Sequence, residues 1–432
     1  MSWLYVAGIV IFLVGLMASI ALHEIGHLVP AKLFKVKVTQ YMVGFGPTLW
    51  SRRKGDTEYG VKWIPMGGYI RMVGALPPRA ADEPGKVRRS STGPFQNLIE
   101  SAREVALEDV RPGDEDRLLY RKKWWQKVVI MAGGPAMNFV VAFVVFAVVL
   151  MGFGVQTAQP VVKTVSPCAV PVTETRACAA ADPIAPAAKA GMRPGDRIVS
   201  FEGKPVSSWT EVSLAIRGHG PGPTVVEVVR DGRTVPIQVE LIGQDRPSLT
   251  EEGKIDKNVG FLGITPTAEY VRQDLGAVTA AMWDMTVRGT LAIVNLPERM
   301  VGVWEAAFSG EKRDANGPIG IVGAGRIAGE LAENSDSGLE IIISWLMLLA
   351  GFNLAIGLFN LIPLLPLDGG HIAGALWEGL RGGVAKMLGR PNPGYVDLAK
   401  ALPLTYAMAL ILVTMAGLLF YADLVNPVRL FG

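Results

Sequence analysis

Five consecutive residues, His23-Glu24-Ile25-Gly26-His27, set two imidazoles four positions apart with a carboxylate beside the first. On a helix that spacing is one turn, so both rings share a face and can reach one metal ion. Glu24 stands about 100° round the helix from His23. From there it can take a proton from a water at the metal, the general-base role this pattern serves in zinc-dependent hydrolysis. A five-residue pattern with two free positions also arises by chance, and its setting gives it weight. The apolar, uncharged residues 3–22 run straight into it, and ionisable groups at the end of such a run are costly unless paired or hydrated.

A catalytic zinc takes three protein ligands and keeps a fourth position open, so the third ligand must come from elsewhere. The remaining histidines are His219 and His371. His371 closes the stretch Asn360-Leu361-Ile362-Pro363-Leu364-Leu365-Pro366-Leu367-Asp368-Gly369-Gly370-His371, in which Asp368 is the one acid. Asp368 and His371 are therefore the candidates near this end of the chain for a third ligand. Pro363 and Pro366 break any helix through this stretch, which a membrane tolerates only where the freed backbone is buried in protein or lines a cavity.

Those residues need elements to hold them. The 432-residue chain is 50% hydrophobic and contains four uncharged apolar runs, residues 3–22, 128–154, 341–367 and 401–422, each long enough to cross a hydrocarbon layer of roughly 30 Å. The first run lacks the basic start and small-residue cleavage site of a signal peptide and is expected to be retained. Residues 32–123 carry 18 Lys/Arg against 11 Asp/Glu, which places that loop in the cytoplasm, while the long acidic loop 153–340 and both termini lie outside. Nothing in the charge pattern suggests nucleic acid. Cys168 and Cys178 fall together in the outer loop, where a local disulfide is expected.

Between the spans, residues 35–40 and 59–70 read as strands with a Gly-Phe-Gly-Pro turn at 44–47, residues 76–93 as a linker, 97–109 as a polar helix, and 117–127 as a helix at the membrane surface. In the outer loop, Ala190-Gly191-Met192-Arg193-Pro194-Gly195-Asp196 leads into a strand. An amphipathic helix over 209–217 follows, then a hairpin through Asp231-Gly232. This order closely resembles a bacterial PDZ domain covering about 160–241. The expected role of this module is a size filter, with capture of peptide ends at a sheet edge as the alternative.

The pairing of His-Glu-x-x-His with Asn-x-x-Pro-x-x-Pro-x-Asp-Gly, in the first and third runs and around a PDZ-like insertion, resembles the site-2 protease family. It is nearest to the regulator-of-sigma proteases, and its closing Ala-Asp-Leu-Val-Asn-Pro-Val-Arg-Leu-Phe is similar to their actinobacterial branch. That resemblance implies an intramembrane zinc endopeptidase of a bacterial plasma membrane, its active site towards the cytoplasm, acting on single-pass proteins such as anti-sigma factors already trimmed outside, and on remnant signal peptides. It implies His23, His27 and Asp368 as ligands of one zinc ion, with His371 at most a neighbour, Glu24 as catalytic base, and Asn360 as a holder of substrate backbone. Gly67 and Gly68 are implied to belong to a re-entrant hairpin that presents an edge to the substrate, and Gly134-Pro135-Ala136-Met137-Asn138 matches an element of the second span. The long linker after Leu76 departs from the family pattern and receives no role.

The expected fold is thus a polytopic α-helical membrane protein with four transmembrane helices, a membrane-associated β-hairpin region and an inserted PDZ-like α+β domain. Its expected divisions are 1–31, 32–127 (loop with hairpin and interfacial helix), 128–154, 155–245 (PDZ-like), 246–340 (linker with interfacial helices), 341–371, 372–400 and 401–432. A metal transporter fits less well, since transport calls for ionisable groups spread along a pathway and these gather at one depth. A non-catalytic scaffold would have no use for Glu24.

Overall fold

A computed structural model describes residues 2–77, 96–170, 176–179, 181–249, 254–311, 313–314, 316–335 and 337–429. The chain divides into two compact units, Met1–Gly152 with Asp274–Gly432, and Phe153–Gln273.

The first unit opens with α1 (Trp3–Leu33), whose first turn is capped by the Ser2 side chain accepting from the Tyr5 amide. Strands β1 (Val38–Lys54) and β2 (Thr57–Met72) follow. Their pairing is folded on itself: Val43 pairs with Gly68 and also with Val61, and Lys54 pairs with Thr57 across the tip. The expected turn at 44–47 is instead a bulged stretch inside β1, because Gly44 and Gly46 take φ of +91° and +83° and bend the strand without ending it. The expected linker 76–93 lies mostly outside the described residues. Helix α2 (Gln96–Leu107) occupies the place of the polar helix.

No surface helix spans 117–127. Leu118 and Leu119 are buried, and the backbone there is taken by strand ends. Lys37 N–H donates to Arg117 C=O, Leu119 N–H to Val73 C=O and Tyr120 N–H to Gly74 C=O. Two single 3₁₀ turns result, and α3 (Trp124–Ala147) begins only at Trp124, continuing as a π-turn to Phe153.

The second unit is built on β3 (Val155–Val165), α4 (Pro186–Lys189), β4 (Arg197–Phe201), β5 (Lys204–Pro205), α5 (Trp209–His219), β6 (Gly222–Arg230), β7 (Arg233–Pro247), β8 (Ile255–Phe261) and β9 (Ile264–Val271). The sheet runs β8-β7-β6-β4-β3-β9, with β5 beside β4. Residues 246–271, expected as linker, are therefore largely sheet: β9 pairs with β3 from Val155 opposite Val271 to Val165 opposite Ile264. The β6–β7 reversal uses Asp231 and Gly232 at φ +48° and +77°, the backbone a two-residue hairpin loop requires. Val162, Ile198, Phe201, Val212, Val226 and Val228 form its core. Cys168 and Cys178 are joined by a disulfide.

Back in the first unit come α6 (Leu275–Val294), α7 (Leu296–Phe308), α8 (Ile321–Asn334), α9 (Gly338–Asn360), α10 (Asp368–Met387) and α11 (Leu402–Val425). Among the described residues, four helical stretches are long and apolar enough to cross a membrane: Trp3–Leu33, Trp124–Phe153, Gly338–Asn360 and Leu398–Val425. The third ends earlier than expected. Asn360 closes α9, the Pro363/Pro366 stretch is irregular, and Asp368 begins a separate helix, because neither proline can donate to a continuing ladder. Inside lipid, polar links fasten such helices. The buried Asn353 of α9 donates from Nδ2 to Ser19 Oγ of α1 at 2.8 Å.

In the sheet unit, the Asp196 carboxylate is almost fully buried, and Arg230 grips it with Nε to Oδ1 and Nη2 to Oδ2, both 2.7 Å. Burial alone would raise its pKa, but the Arg230 fork and the Arg193 amide outweigh burial and hold the carboxyl below the ordinary carboxylate range. A depressed folded pKa means stability that is present at neutral pH and lost as pH falls below about 4. Asp196→Asn should destabilise this unit by about 2 kcal/mol and flatten its acid sensitivity, read as faster amide exchange in 197–201 and 222–241. Unchanged exchange at pH 7 would contradict this.

Candidate metal centre

The centre depends on how closely α1 and α3 approach. A Cβ on Gly26 would lie 2.2 Å from Gly133 O, and one on Gly133 would lie 2.0 Å from Gly26 O. The two backbones touch there, which only glycine permits. This contact brings the Ile130 carbonyl to the buried His27, whose Nδ1–H donates to it at 2.8 Å. With its proton on Nδ1, His27 turns the Nε2 lone pair inward. Gly134 lies flush with the rings: a Cβ there would stand 2.2 Å from His27 Nε2 and 2.7 Å from His23 Nε2. One turn further along α3, the buried Asn138 sets its side-chain amide 3.0 Å from His23 Nδ1.

Asp368 comes from the first turn of α10, packed against the loop that precedes it. Cβ atoms on Gly369 and Gly370 would strike Ile362 O at 2.2 Å and Leu365 N at 2.5 Å, so the two glycines let the helix begin where its carboxylate meets the histidines. His23 Nε2 and His27 Nε2 are 3.3 Å apart, and Asp368 Oδ2 lies 3.4 Å from the first and 3.3 Å from the second. Donors about 2.0–2.1 Å from a tetrahedral zinc stand about 3.3 Å from one another. The triangle therefore matches one face of such a site, and its two imidazoles and one carboxylate are a donor set suited to zinc.

All of the expected site residues of this unit line one cleft of about 690 Å³: His23, Glu24, His27, Gly67, Gly68, Asn360 and Asp368, together with His371, Asn138 and residues 69–73 of β2 and its end. His371 stands outside the three-donor group. Gly68 abuts the base candidate, since a Cβ on it would be 3.0 Å from Glu24 Cγ. The disulfide cysteines belong to the other unit. Sequence reasoning placed Asn138 in a motif but gave it no task, and it missed the Gly26/Gly133 contact and the Ile130 carbonyl. The glycines were visible as Gly26 inside the metal motif and the Gly133-Gly134 pair; a backbone carbonyl leaves no trace in side-chain spelling.

Membrane-crossing helices around a His₂Asp donor triangle with a carboxylate at hand define a multi-pass membrane zinc metalloendopeptidase. The family model described as Peptidase family M50 matches residues 11–390, and the chain belongs to this family, the site-2 proteases. It is similar to zinc metalloprotease Rip1 of Mycobacterium tuberculosis, 35% identical over 441 residues, covering 99% of this chain and 100% of the relative. Metalloprotease MmpA of Caulobacter vibrioides is 30% identical over 429 residues, covering 88% and 94%. Zinc metalloprotease RasP of Bacillus licheniformis is 24% identical over 424 residues, covering 87% and 90%.

Two outcomes follow from the packing. Gly133→Ala should force α1 and α3 apart and lower zinc content and activity together, whereas Gly152→Ala, with nothing within 4 Å of its added methyl, should leave both unchanged; metal analysis of the purified variants distinguishes them. Asn138 Nδ2 is the atom set 3.0 Å from His23 Nδ1; a His23 ring with Nε2 facing a metal carries its proton on Nδ1, and the Asn138 amide, turned so that its oxygen faces the ring, accepts it. Asn138→Leu should therefore weaken zinc binding about 10- to 100-fold, measured by competition with a chelator, and unchanged affinity would remove Asn138 from the centre.

Proposed function

We propose that this zinc metalloendopeptidase cuts peptide bonds within membrane-embedded segments, performing regulated intramembrane proteolysis of single-pass proteins such as anti-sigma factors after their outer domains have been trimmed, and of remnant signal peptides. One observation carries the reading: the donor triangle, Glu24 and the β2 edge at Gly67–Gly68 share a single cleft among helices fit to span a membrane.

In this reading His23, His27 and Asp368 hold the zinc. When bound there, zinc lowers the pKa of the attacking water and polarises the scissile carbonyl. Glu24 takes the proton from that water and delivers it to the leaving amide nitrogen. A helical substrate hides its carbonyls in its own ladder, so it must be drawn out as a strand. Residues 68–72 pair with 38–43 on one side and offer the other edge, at the cleft, to an incoming strand. Asn360, at the end of α9, holds substrate backbone. The β1–β2 sheet acts as the re-entrant element, consistent with the exposure of Phe45, Leu49, Trp63 and Ile64. The active site faces the cytoplasm, and the sheet unit is a PDZ-like domain outside the membrane. The single-module order and closing segment support grouping the chain with the regulator-of-sigma proteases.

The test uses a model transmembrane peptide and the purified full chain. Glu24→Gln should keep zinc and lose essentially all turnover, since the amide preserves shape and abolishes the base. Asp368→Ala should lose both metal and activity. Residual cleavage well above background by Glu24→Gln would assign the base elsewhere, and normal zinc content in Asp368→Ala would move the third ligand.

A further inference from the structure

The helix α2 belongs to the stretch that departs from the family pattern, yet it faces the catalytic cleft. Ala102, Val105, Ala106 and, just beyond the helix, Asp109 line the same cavity as Glu24, Gly68 and the donor triangle. Val105 is a branched apolar side chain left 59% exposed on this cleft.

The helix is also fastened. The guanidinium of Arg103, with its side chain 6% exposed, lies 2.5 Å from Asp397 Oδ2 in the approach to α11. On the other flank Arg71 of β2 reaches Asp109 Oδ2 with Nε at 2.9 Å and Glu108 Oε2 with Nη2 at 3.3 Å, and its Nη2 also donates to the Val105 carbonyl at 3.4 Å. The Gly74 amide donates to the Ala106 carbonyl at 3.4 Å. Ion pairs and main-chain bonds thus hold α2 at a set position along β2. Arg71 is three residues beyond Gly68, which abuts Glu24, and three residues of strand span roughly 10 Å. A peptide strand laid along this edge would therefore pass Val105 about three or four residues from the bond that is cut.

We propose that α2 is a specificity wall, with Val105 contacting the substrate side chain three or four positions from the scissile bond, on the cytoplasmic side of the cut. The inference rests on the proteolytic reading of the cleft and on strand addition at β2. It assigns sequence preference to a residue outside the metal-binding and proton-transfer machinery, so zinc content is unaffected by changing it.

The test takes the full chain in detergent or lipid nanodiscs with model transmembrane peptides carrying Ala, Lys or Glu at the third and fourth positions on either side of the cut. Val105→Glu should raise the ratio of kcat/KM for Lys over Glu peptides by about threefold to fivefold, and Val105→Lys should lower it by a similar factor, as expected for a partly exposed charge pair. Both effects should fall mainly in KM, on one side of the bond, with zinc content equal to wild type. A reciprocal swap is not produced by mere loss of stability, which scales all peptides alike. If both variants cut the Ala peptide and their Lys-to-Glu ratio matches wild type at every position, Val105 does not touch substrate and the proposal is overturned. Failure of the wild-type protein to cut any of the peptides would overturn the proteolytic reading, and this inference with it.

Discussion

The contact of Gly26 with Gly133 is the constraint on which the remaining architecture depends. Lipid offers helices no hydrophobic reason to associate, so they pack where small residues let backbones meet. Here the meeting point is inside the metal motif itself. Because α3 approaches so closely, its Ile130 carbonyl can orient one imidazole, Gly134 leaves space for both rings, and Asn138 reaches the second. The third wall follows from the same element: Gly357 of α9 sits against Asn138 and Phe139, while Asn353 ties α9 to α1 through Ser19.

The carboxylate side is solved differently. Asp368 does not ride on a membrane-crossing helix. It begins a new one after a proline-interrupted passage whose freed amides find local acceptors, Leu364 N–H to Ile362 C=O and Leu367 N–H to Leu364 C=O. Within a membrane an irregular backbone is admissible where it borders a cavity, and Pro366, Asn360 and Asp368 all line the cleft. The break that ends α9 thus also gives Asp368 freedom to meet two imidazoles fixed by another pair of helices.

Much of this was legible in the sequence because membrane chemistry makes its signals loud. Uncharged runs announced the helices, and His23, Glu24, His27 and Asp368 were conspicuous as ionisable groups at their ends. Boundaries were weaker. Pro363 and Pro366 foretold a break, but which residue would restart the helix depended on how Gly369 and Gly370 pack against the loop. Residues 117–123 carried a helix-like spelling that lost to backbone hydrogen bonds with Lys37, Val73 and Gly74, partners too distant in sequence to anticipate. Strands β8 and β9 were missed for a related reason: β9 is completed by pairing with β3, at the far end of its unit, so local pattern alone could not reveal it.

The separation of the proposed ligands along the chain has a consequence for biosynthesis. His23 and His27 leave the ribosome early and Asp368 late, after the whole sheet unit and the α6 to α9 helices have been made. A growing chain therefore carries two imidazoles without their carboxylate partner through most of its synthesis. On the proposed roles, hydrolytic competence waits for Asp368, which is made after three of the four candidate spans and before the last, α11.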